Sequence, residues 1–267
     1  MTGAEAAPRL GAPIWTELLS SDIEAATGFY RGLFGWTTEV LGVELGGYRV
    51  FRKHGAAVAG AAPTTGACED HPPAWGTYFA VRDVDTFAAM AREAGGSVTT
   101  GPVDILDLGR MAVLTDPCGA EFRVWQPGTT QGAELFNEPG ALCWNELATR
   151  DPDSARRFYT RMFGWGVKEY PVGDATGSYT EWCIDSTPVG GLLPMAADHW
   201  PPDVPPHWTV YFAVADCDAA VGRAAELGGE VVVEPFDARP GRVAVVGDPT
   251  GARFSVIALD RDMALAG

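Results

Sequence analysis

Two hydrophobic periods follow one another along the chain, and each predicts a different element. From Ile14 to Leu19, apolar and polar residues alternate at every second position, as in a half-buried β-strand. After Ser21 or Asp22, either of which can cap a helix, the apolar residues recur every three to four positions, as on one face of an α-helix: Ile23, Ala26, Phe29, Tyr30 and Leu33. The pattern therefore predicts a strand followed by a helix.

Further short elements complete the same unit. The matched stretches 48–58 and 179–189 are rich in β-formers and end in Gly-containing turns. A strand at 77–81 precedes a helix at 84–94, which Gly95 and Gly96 close. The turns Asp116–Gly119 and Asp248–Gly251 join the last two strands of their segments. Together these signals predict four modules of the order β-α-β-β-β.

The modules arise by duplication. Residues 15–36 and 144–165, WTELLSSDIEAATGFYRGLFGW and WNELATRDPDSARRFYTRMFGW, are identical at 10 of 22 positions with an offset of 129. The likeness resumes with WGTYFAVRDVD and WTVYFAVADCD, and again with GRMAVLTDPCGAEFRV and GRVAVVGDPTGARFSV. We predict a first domain at 10–127, a linker at 128–139 and a second domain at 140–262.

The quoted segments, with Phe-Tyr and Phe-Gly-Trp around the first helix and Asp-Pro-x-Gly in the last turn, resemble the vicinal oxygen chelate superfamily. That superfamily includes glyoxalase I, extradiol dioxygenases and bleomycin-type antibiotic-binding proteins, and the form met here resembles its tandem, glyoxalase-like bacterial branch. The resemblance implies an α+β fold of two tandem domains. In each domain two βαβββ modules would curl into an open barrel around a cavity.

The resemblance also implies where a metal would bind in each domain, on the first, fifth and eighth strands. Those positions hold Trp15 and Trp144, Gly76 and Thr209, and Arg123 and Ser255. None of these is a usual metal ligand, and an arginine repels a cation. The four histidines, His54, His71, His199 and His207, fall in predicted loops or strand ends. We therefore expect no metal and no other cofactor.

Aromatic residues replace the metal ligands on the strand faces that the resemblance directs into the cavities. The expected ligand-binding residues are Trp15, Tyr78, Arg123, Trp125, Trp144, Trp182, His207, Trp208 and Tyr211. For Trp182 and Trp208 the sequence leaves open whether they line a pocket or face a helix. Such a lining suits a planar organic ligand.

Glu17 and Glu146 each stand two residues after a strand tryptophan, and are the expected catalytic acid-base residues. Hydrogen bonding to backbone or to a neighbouring tyrosine is an equally good interpretation of both. Arg123 is expected opposite Glu17, whereas Ser255 takes its place in the second domain. We therefore expect Glu146 to be the more proton-active of the two.

The amino-acid composition indicates what class of protein this is and which binding partners are disfavoured. The chain has 46% hydrophobic and 20% charged residues, which is typical of a globular protein. A net charge of -16 disfavours nucleic acid and anionic membrane surfaces. Five cysteines without a Cys-x-x-Cys pair, and an N-terminus without a signal-peptide pattern, predict a cytoplasmic protein with cysteines in its core.

The sequence therefore supports three hypotheses on function. The first is a metal-independent protein that binds a planar, partly aromatic metabolite of natural-product type for sequestration or delivery, as in secondary metabolism. The second is a metal-free enzyme in which Glu146 or Glu17 promotes isomerisation, cyclisation, hydration or ring opening of such a metabolite. The third is a metal-dependent glyoxalase or dioxygenase. One domain could be inert, and the chain could be a monomer or a homodimer.

Overall fold

The computed structural model describes residues 8–65, 71–171, 178–198 and 200–260, and the fold is α+β as predicted. The helices are α1 (Ile23–Phe34), α2 (Val84–Glu93), α3 (Pro152–Phe163) and α4 (Cys217–Glu226). The strands are β1 (Pro13–Ser20), β2 (Thr37–Val40), β3 (Arg49–Lys53), β4 (Ala56–Pro63), β5 (Ala74–Ala80), β6 (Ser97–Ile105), β7 (Gly109–Thr115), β8 (Glu121–Pro127), β9 (Leu142–Thr149), β10 (Gly166–Pro171), β11 (Ser178–Ile184), β12 (Thr187–Pro194), β13 (His207–Ala213), β14 (Glu230–Ala238), β15 (Gly241–Gly247) and β16 (Arg253–Leu259).

These strands form two open eight-stranded sheets, in the orders β2-β3-β4-β1-β5-β8-β7-β6 and β10-β11-β12-β9-β13-β16-β15-β14. In each module the first strand pairs in parallel with the last, and the three strands after the helix pair antiparallel. The helix is the crossover that a parallel pair requires. The predicted βαβββ module is thus confirmed four times.

The N-terminus of α1 follows the predicted signal at Asp22, and the other helices begin in the same way. An aspartate caps the N-terminus of every one of these four helices; Asp22, for example, accepts a hydrogen bond from the Ala25 N–H at 3.0 Å. At the ends of α1 and α3, Gly35 and Gly164 have φ of 71° and 69°, which an L side chain rarely adopts. The Phe-Gly-Trp sequence is therefore a helix stop followed by a core tryptophan. No helix among the described residues is long and apolar enough to span a membrane.

The chain packs into two compact units that do not coincide with the two halves of the sequence repeat. Unit 1 comprises the described parts of Met1–Ile14, Thr77–Gly132 and Trp144–Trp208, and so holds the second and third modules. Unit 2 comprises the described parts of Trp15–Gly76, Ala133–Cys143 and Thr209–Gly267, and holds the first and fourth modules. Each unit has its own apolar core between its helices and strands.

A hydrogen-bonded relay crosses the core of unit 2. Trp75 Nε1 donates to the hydroxyl of Tyr30 at 2.8 Å, and that hydroxyl donates to Oδ2 of Asp248 at 3.0 Å. The other oxygen of Asp248 accepts the backbone N–H groups of Thr250 and Ala252 at 2.8 and 3.1 Å. The relay therefore fixes helix α1 to the turn between β15 and β16.

Unit 1 contains the equivalent three residues, but Oδ2 of its aspartate has no hydrogen bond as close as that of Asp248. Trp208 Nε1 donates to the Tyr159 hydroxyl at 2.9 Å, and Asp116 accepts the N–H groups of Cys118 and Ala120 at 2.8 and 2.9 Å. Burial and the neighbouring Asp116 carboxylate raise the pKa of Tyr159 well above its usual value. Tyr159 therefore stays protonated and able to donate towards Asp116 at physiological pH.

Replacing Tyr30 by Phe removes the hydroxyl that serves the Trp75 indole and the buried Asp248 carboxylate together. Leaving buried polar groups unsatisfied costs about 1–3 kcal/mol each, so we expect the free energy of unfolding to fall by at least that amount in urea titrations. Tyr159→Phe should behave alike. The control is Tyr170→Phe, at an exposed position, for which a change within about 0.5 kcal/mol is expected. Equal effects of all three changes would show that the relay does not stabilise the fold.

Candidate functional site

A polar and aromatic cluster lies on the sheet of the third module, in unit 1. The Trp144 cluster consists of Trp144 and Glu146 on β9, Tyr179 on β11 and Gly191 on β12. Trp144 Nε1 donates to the Tyr179 hydroxyl at 2.9 Å, and the Tyr179 hydroxyl is hydrogen-bonded to the Glu146 carboxylate. Trp144, Glu146 and Tyr179 are each half-buried, whereas the alternate residues Asn145 and Leu147 are buried. The cluster therefore occupies the accessible side of the strands.

Gly191 lies beneath the Tyr179 hydroxyl and leaves room for it. It is the register partner of Glu146 in the parallel β9–β12 pair, so both residues face the same side of the sheet. A Cβ atom at Gly191 would overlap the Tyr179 hydroxyl and would approach Trp144 Nε1 to 3.1 Å. The phenol therefore lies directly over the backbone of β12, which only glycine permits.

Unit 2 contains a second copy, the Trp15 cluster, formed by Trp15 and Glu17 on β1, Tyr48 before β3 and Gly60 on β4. Trp15 Nε1 donates to the Tyr48 hydroxyl at 3.0 Å. Gly60 is the register partner of Glu17, and a Cβ atom there would overlap the Tyr48 hydroxyl. The two halves of the chain have thus kept the same four residue types in the same arrangement.

Burial and the nearby carboxylate keep the Tyr179 hydroxyl of the Trp144 cluster protonated. Burial is the main cause that raises the pKa of Tyr179 far above its usual value, and the Glu146 carboxylate adds to it. Tyr179 therefore remains a hydrogen-bond donor to Glu146, while its oxygen accepts from the indole. The indole N–H of Trp144 already donates to Tyr179, so only the indole ring of Trp144 can contact a ligand. Glu146 is the acceptor, or the base, that a ligand would meet beside that ring.

One difference between the copies lies beside the tyrosine. Glu181, on β11, also pairs with Gly191 in register and is joined to Lys168 at 3.3 Å. Its counterpart beside Gly60 is the apolar Val50. A second carboxylate, paired with Lys168, thus accompanies the Trp144 cluster, and the Trp15 cluster has an apolar neighbour at that point.

A third cluster combines Tyr78, Arg123 and Trp125 on β5 and β8 of unit 1. Tyr78 and Arg123 are register partners, and the guanidinium carbon lies 5.5 Å from the centre of the tyrosine ring. Arg123 is 3% exposed and its Nη2 lies 3.5 Å from Oε1 of Glu121. Trp125 packs edge-on against Tyr78 at 6.2 Å and donates its N–H to the carbonyl of Thr130 at 3.0 Å. These three predicted residues are brought together; the pairing of Arg123 with Glu17 stays a prediction.

Trp182 and Trp208 take the second of the two orientations that the sequence left open. They are 0% and 6% exposed, and their rings pack against Tyr159 of α3 at 5.3 Å each. Because Trp208 also donates to the Tyr159 hydroxyl, it belongs to the core relay. We include neither tryptophan in the site proposed below.

The remaining two predicted residues lie on β13. His207 Nδ1 is 2.8 Å from the carbonyl oxygen of Pro205, and its ring lies 5.8 Å from that of Trp200. Tyr211 is half-buried and is the register partner of the buried Ser255 on β16. The structure places Tyr211 in unit 2 and His207 in unit 1.

The donor chemistry at the family's metal positions does not suit a metal. Within residues 8–65, 71–171, 178–198 and 200–260, no three His, Cys, Asp or Glu side chains are grouped to hold an ion. The two indoles at the first position donate to tyrosines and have no free electron pair to coordinate with. The side chains at these positions therefore do not fit a metal ion. His199 and Cys68 lie outside the described residues.

The described cysteines have weakly acidic thiols. Cys183 and Cys217 are buried, as predicted, whereas Cys118 and Cys143 are half-buried. Burial raises the pKa of Cys143 to about 12 and that of Cys217 to about 11. Cys143 donates to the carbonyl of Tyr211 at 3.3 Å. Since the thiolate is the reactive form, Cys143 and Cys217 are poor nucleophiles at neutral pH.

Both halves of the chain match one protein family. The family model of the Glyoxalase/Bleomycin resistance protein/Dioxygenase superfamily matches twice, at residues 13–124 and 142–256. The chain belongs to this superfamily. The expected resemblance and the two tandem domains are thereby confirmed, while the exact domain boundaries stay a prediction.

Relatives and solved structures agree with that assignment. The anthracycline biosynthesis protein DauV of Streptomyces sp. (strain C5) is 42% identical over 264 residues, which cover 93% of this chain and 94% of DauV. The fold is similar to that of the 2,3-dioxygenase LapB from Pseudomonas sp. KL28, with a TM-score of 0.64, 15% identity and coverage of 94% and 93%. It is also similar to the Mn(II)-bound glyoxalase from Novosphingobium aromaticivorans, with a TM-score of 0.61, 16% identity and coverage of 94% and 85%. At these identities the two structures show the fold alone.

Sequence reasoning missed Tyr48 and Tyr179. Each stands at the start of a matched β-prone stretch, and each has a glycine 12 residues further on, Gly60 and Gly191. A search for polar residues repeated in both halves would have found the two tyrosines. Their role was not evident because a tyrosine in a strand is usually a packing residue.

Replacing Gly191 by Ala should displace the Tyr179 hydroxyl and break its bond with the Trp144 indole. Forcing a methyl group into a packed site costs about 1–3 kcal/mol, which urea unfolding measures, and the Trp144 indole N–H resonance should move in an NMR spectrum. The control is Gly222→Ala, in helix α4, where nothing lies within 4 Å of the added Cβ. That variant should be as stable as the parent or slightly more so. A Gly191→Ala protein with unchanged stability and an unmoved indole resonance would contradict the arrangement.

Proposed function

We propose that the chain is a metal-independent binding protein for a planar, partly aromatic small metabolite of natural-product type, which it sequesters or delivers. The observation that carries this proposal is the recurrence, in both units, of a half-buried tryptophan beside a carboxylate, with a tyrosine bonded to the indole and seated over a glycine. Two copies that diverged elsewhere have kept this arrangement.

The chemistry of the cluster suits such a ligand. Because the indole N–H of Trp144 is bonded to Tyr179, the indole presents its ring, which stacks with flat aromatic systems. Glu146 stands beside it as an acceptor for a phenolic or alcoholic hydroxyl. DauV, which matches nearly the whole chain, is named for anthracycline biosynthesis, and this supports a natural-product ligand. The proposed ligand is therefore a flat ring system that carries hydroxyl groups.

The pairing of Glu146 with Tyr179 also favours a second function, a metal-free acid-base enzyme. The Glu146 carboxylate can take a proton from a carbon or oxygen acid of the substrate. The protonated Tyr179 hydroxyl beside it can then donate a hydrogen bond to the substrate anion that this transfer leaves. Isomerisation, cyclisation, hydration and ring opening can all begin with such a transfer. Binding is preferred because it needs only the ring and the acceptor.

The first test uses alizarin, a dihydroxyanthraquinone, as the probe. We expect it to quench tryptophan fluorescence and, in calorimetry, to bind at two sites per chain. Trp144→Leu removes one stacking surface, so one of the two sites should weaken by about tenfold or more, which corresponds to about 1.4 kcal/mol. The matched control Phe236→Leu, an exposed aromatic on β14, should leave both affinities unchanged. Binding that survives both Trp144→Leu and Trp15→Leu would refute the proposal.

Glu146→Gln separates binding from catalysis. The substitution keeps the shape and one acceptor but removes the base, so a binder should keep its affinity for alizarin to within about tenfold. If the chain is an enzyme, the rate at which it converts a bound hydroxyquinone, followed by mass spectrometry, should fall by about 100-fold or more while the affinity is kept. Glu226→Gln, at an exposed ion pair with Arg223, is the control and should change neither quantity. Conversion by the parent protein that Glu146→Gln leaves intact would exclude Glu146 as the base.

A further inference from the structure

A groove of about 360 Å³ opens in unit 1 between the end of α2 and the outer face of α3. Its lining combines apolar and cationic groups: Ala94, Pro117, Ser154, Arg157, Phe158 and Arg161. Arg157 and Arg161 are four residues apart, so they project from the same face of the helix. We propose that this groove is a binding site for the oxyanion of a small molecule with an apolar body, such as an organic phosphate or carboxylate.

The charges in the groove are available to a ligand. Arg157 is exposed, and no hydrogen bond or ion pair joins its guanidinium group to another residue in the described ranges. Arg161 lies 4.0 Å from Glu93, the limit of an ion pair, and its side chain is 57% exposed. By contrast, Arg156 on the neighbouring face is already held by Asp153 and Glu169 at 3.1 and 3.2 Å. In a chain of net charge -16, two such arginines side by side are a local exception.

Unit 2 provides a comparison within the same chain. Helix α1 carries Gly28 and Gly32 at the positions of Arg157 and Arg161. The residue that ends α4 is Leu227, at the position of Ala94, and its side chain lies 2.7 Å from where a Cβ of Gly32 would stand. Leucine thus covers the helix in unit 2, whereas alanine leaves the helix in unit 1 open. Three substitutions, one smaller and two cationic, convert a packed contact into a charged groove.

The chemistry of the lining selects the ligand class. Two guanidinium groups can hold the oxygens of a phosphate or carboxylate in a forked geometry, and the Ser154 hydroxyl can donate to a third oxygen. Pro117, Ala94 and the edge of Phe158 offer an apolar wall to the remainder of the molecule. The site shares no residue with the Trp144 cluster, so neither proposal rests on the other.

Phenyl phosphate is the probe, followed by the amide resonances of the intact chain in NMR titrations at low salt. We expect shifts at Ser154, Arg157 and Gly95, and at least tenfold weaker binding in Arg157→Gln and in Ala94→Leu, which introduces the unit 2 residue. Arg156→Gln is the matched control and should bind as the parent does. Melting temperatures of all variants check that each is folded.

Any one of the following results would overturn the proposal. The first is unchanged affinity in both Arg157→Gln and Ala94→Leu, or no shift up to about 10 mM phenyl phosphate, a concentration that detects millimolar dissociation constants. The second is binding that Trp144→Leu abolishes and Arg157→Gln does not, which would place the probe in the other site. The third is binding of an acidic peptide in place of phenyl phosphate, which would assign the groove to a protein partner. Inorganic phosphate should bind more weakly than phenyl phosphate, and equal affinity would contradict the apolar part of the ligand class.

Discussion

One buried tyrosine hydroxyl in each unit sets the geometry on which the rest of that unit depends. Tyr30 and Tyr159 accept from a strand tryptophan, and they face the aspartate of the last turn. A tyrosine hydroxyl can accept one hydrogen bond and donate another at the same time, and it is carried by a ring that packs well in an apolar core. Because the aspartate is itself held by the backbone N–H groups of its own turn, the helix and the turn cannot shift independently.

The clusters follow a different rule, in which a glycine makes room for a polar contact. Tyr48 and Tyr179 lie over Gly60 and Gly191, and a methyl group at either glycine would meet the phenol. The glycines are buried in strands, where they cost conformational entropy and contribute no packing. Such a cost in stability is typical of positions kept for a site. This cost occurs at both equivalent glycines, Gly60 and Gly191. The two halves that share them are identical at only 10 of 22 positions around their first helices.

The sequence was sufficient for the modules, the cap at Asp22 and the duplication, because these follow from local spacing and from the comparison of the chain with itself. Asp116 and Asp248 were predicted only as turn residues, since their partners Tyr159 and Tyr30 lie 43 and 218 positions away. The composition of the compact units was not predictable either. All four modules bury a face of the same pattern, so periodicity cannot say which two share a core. Trp208 illustrates this, because it begins the fourth module and is buried by contact with Tyr159 of the third.

The two units contain equivalent relays and clusters but differ in the charged residues near them. The relay residues and the glycine-supported clusters recur in both units, and two of the differences lie at their borders. Glu181 lies beside Tyr179 where the other copy has Val50, and α3 carries two arginines where α1 has two glycines. Surface and border positions can change charge at little cost to stability, whereas a change in the relay would leave a buried polar group unsatisfied. The two copies therefore share the same framework and differ in charge at residues around it.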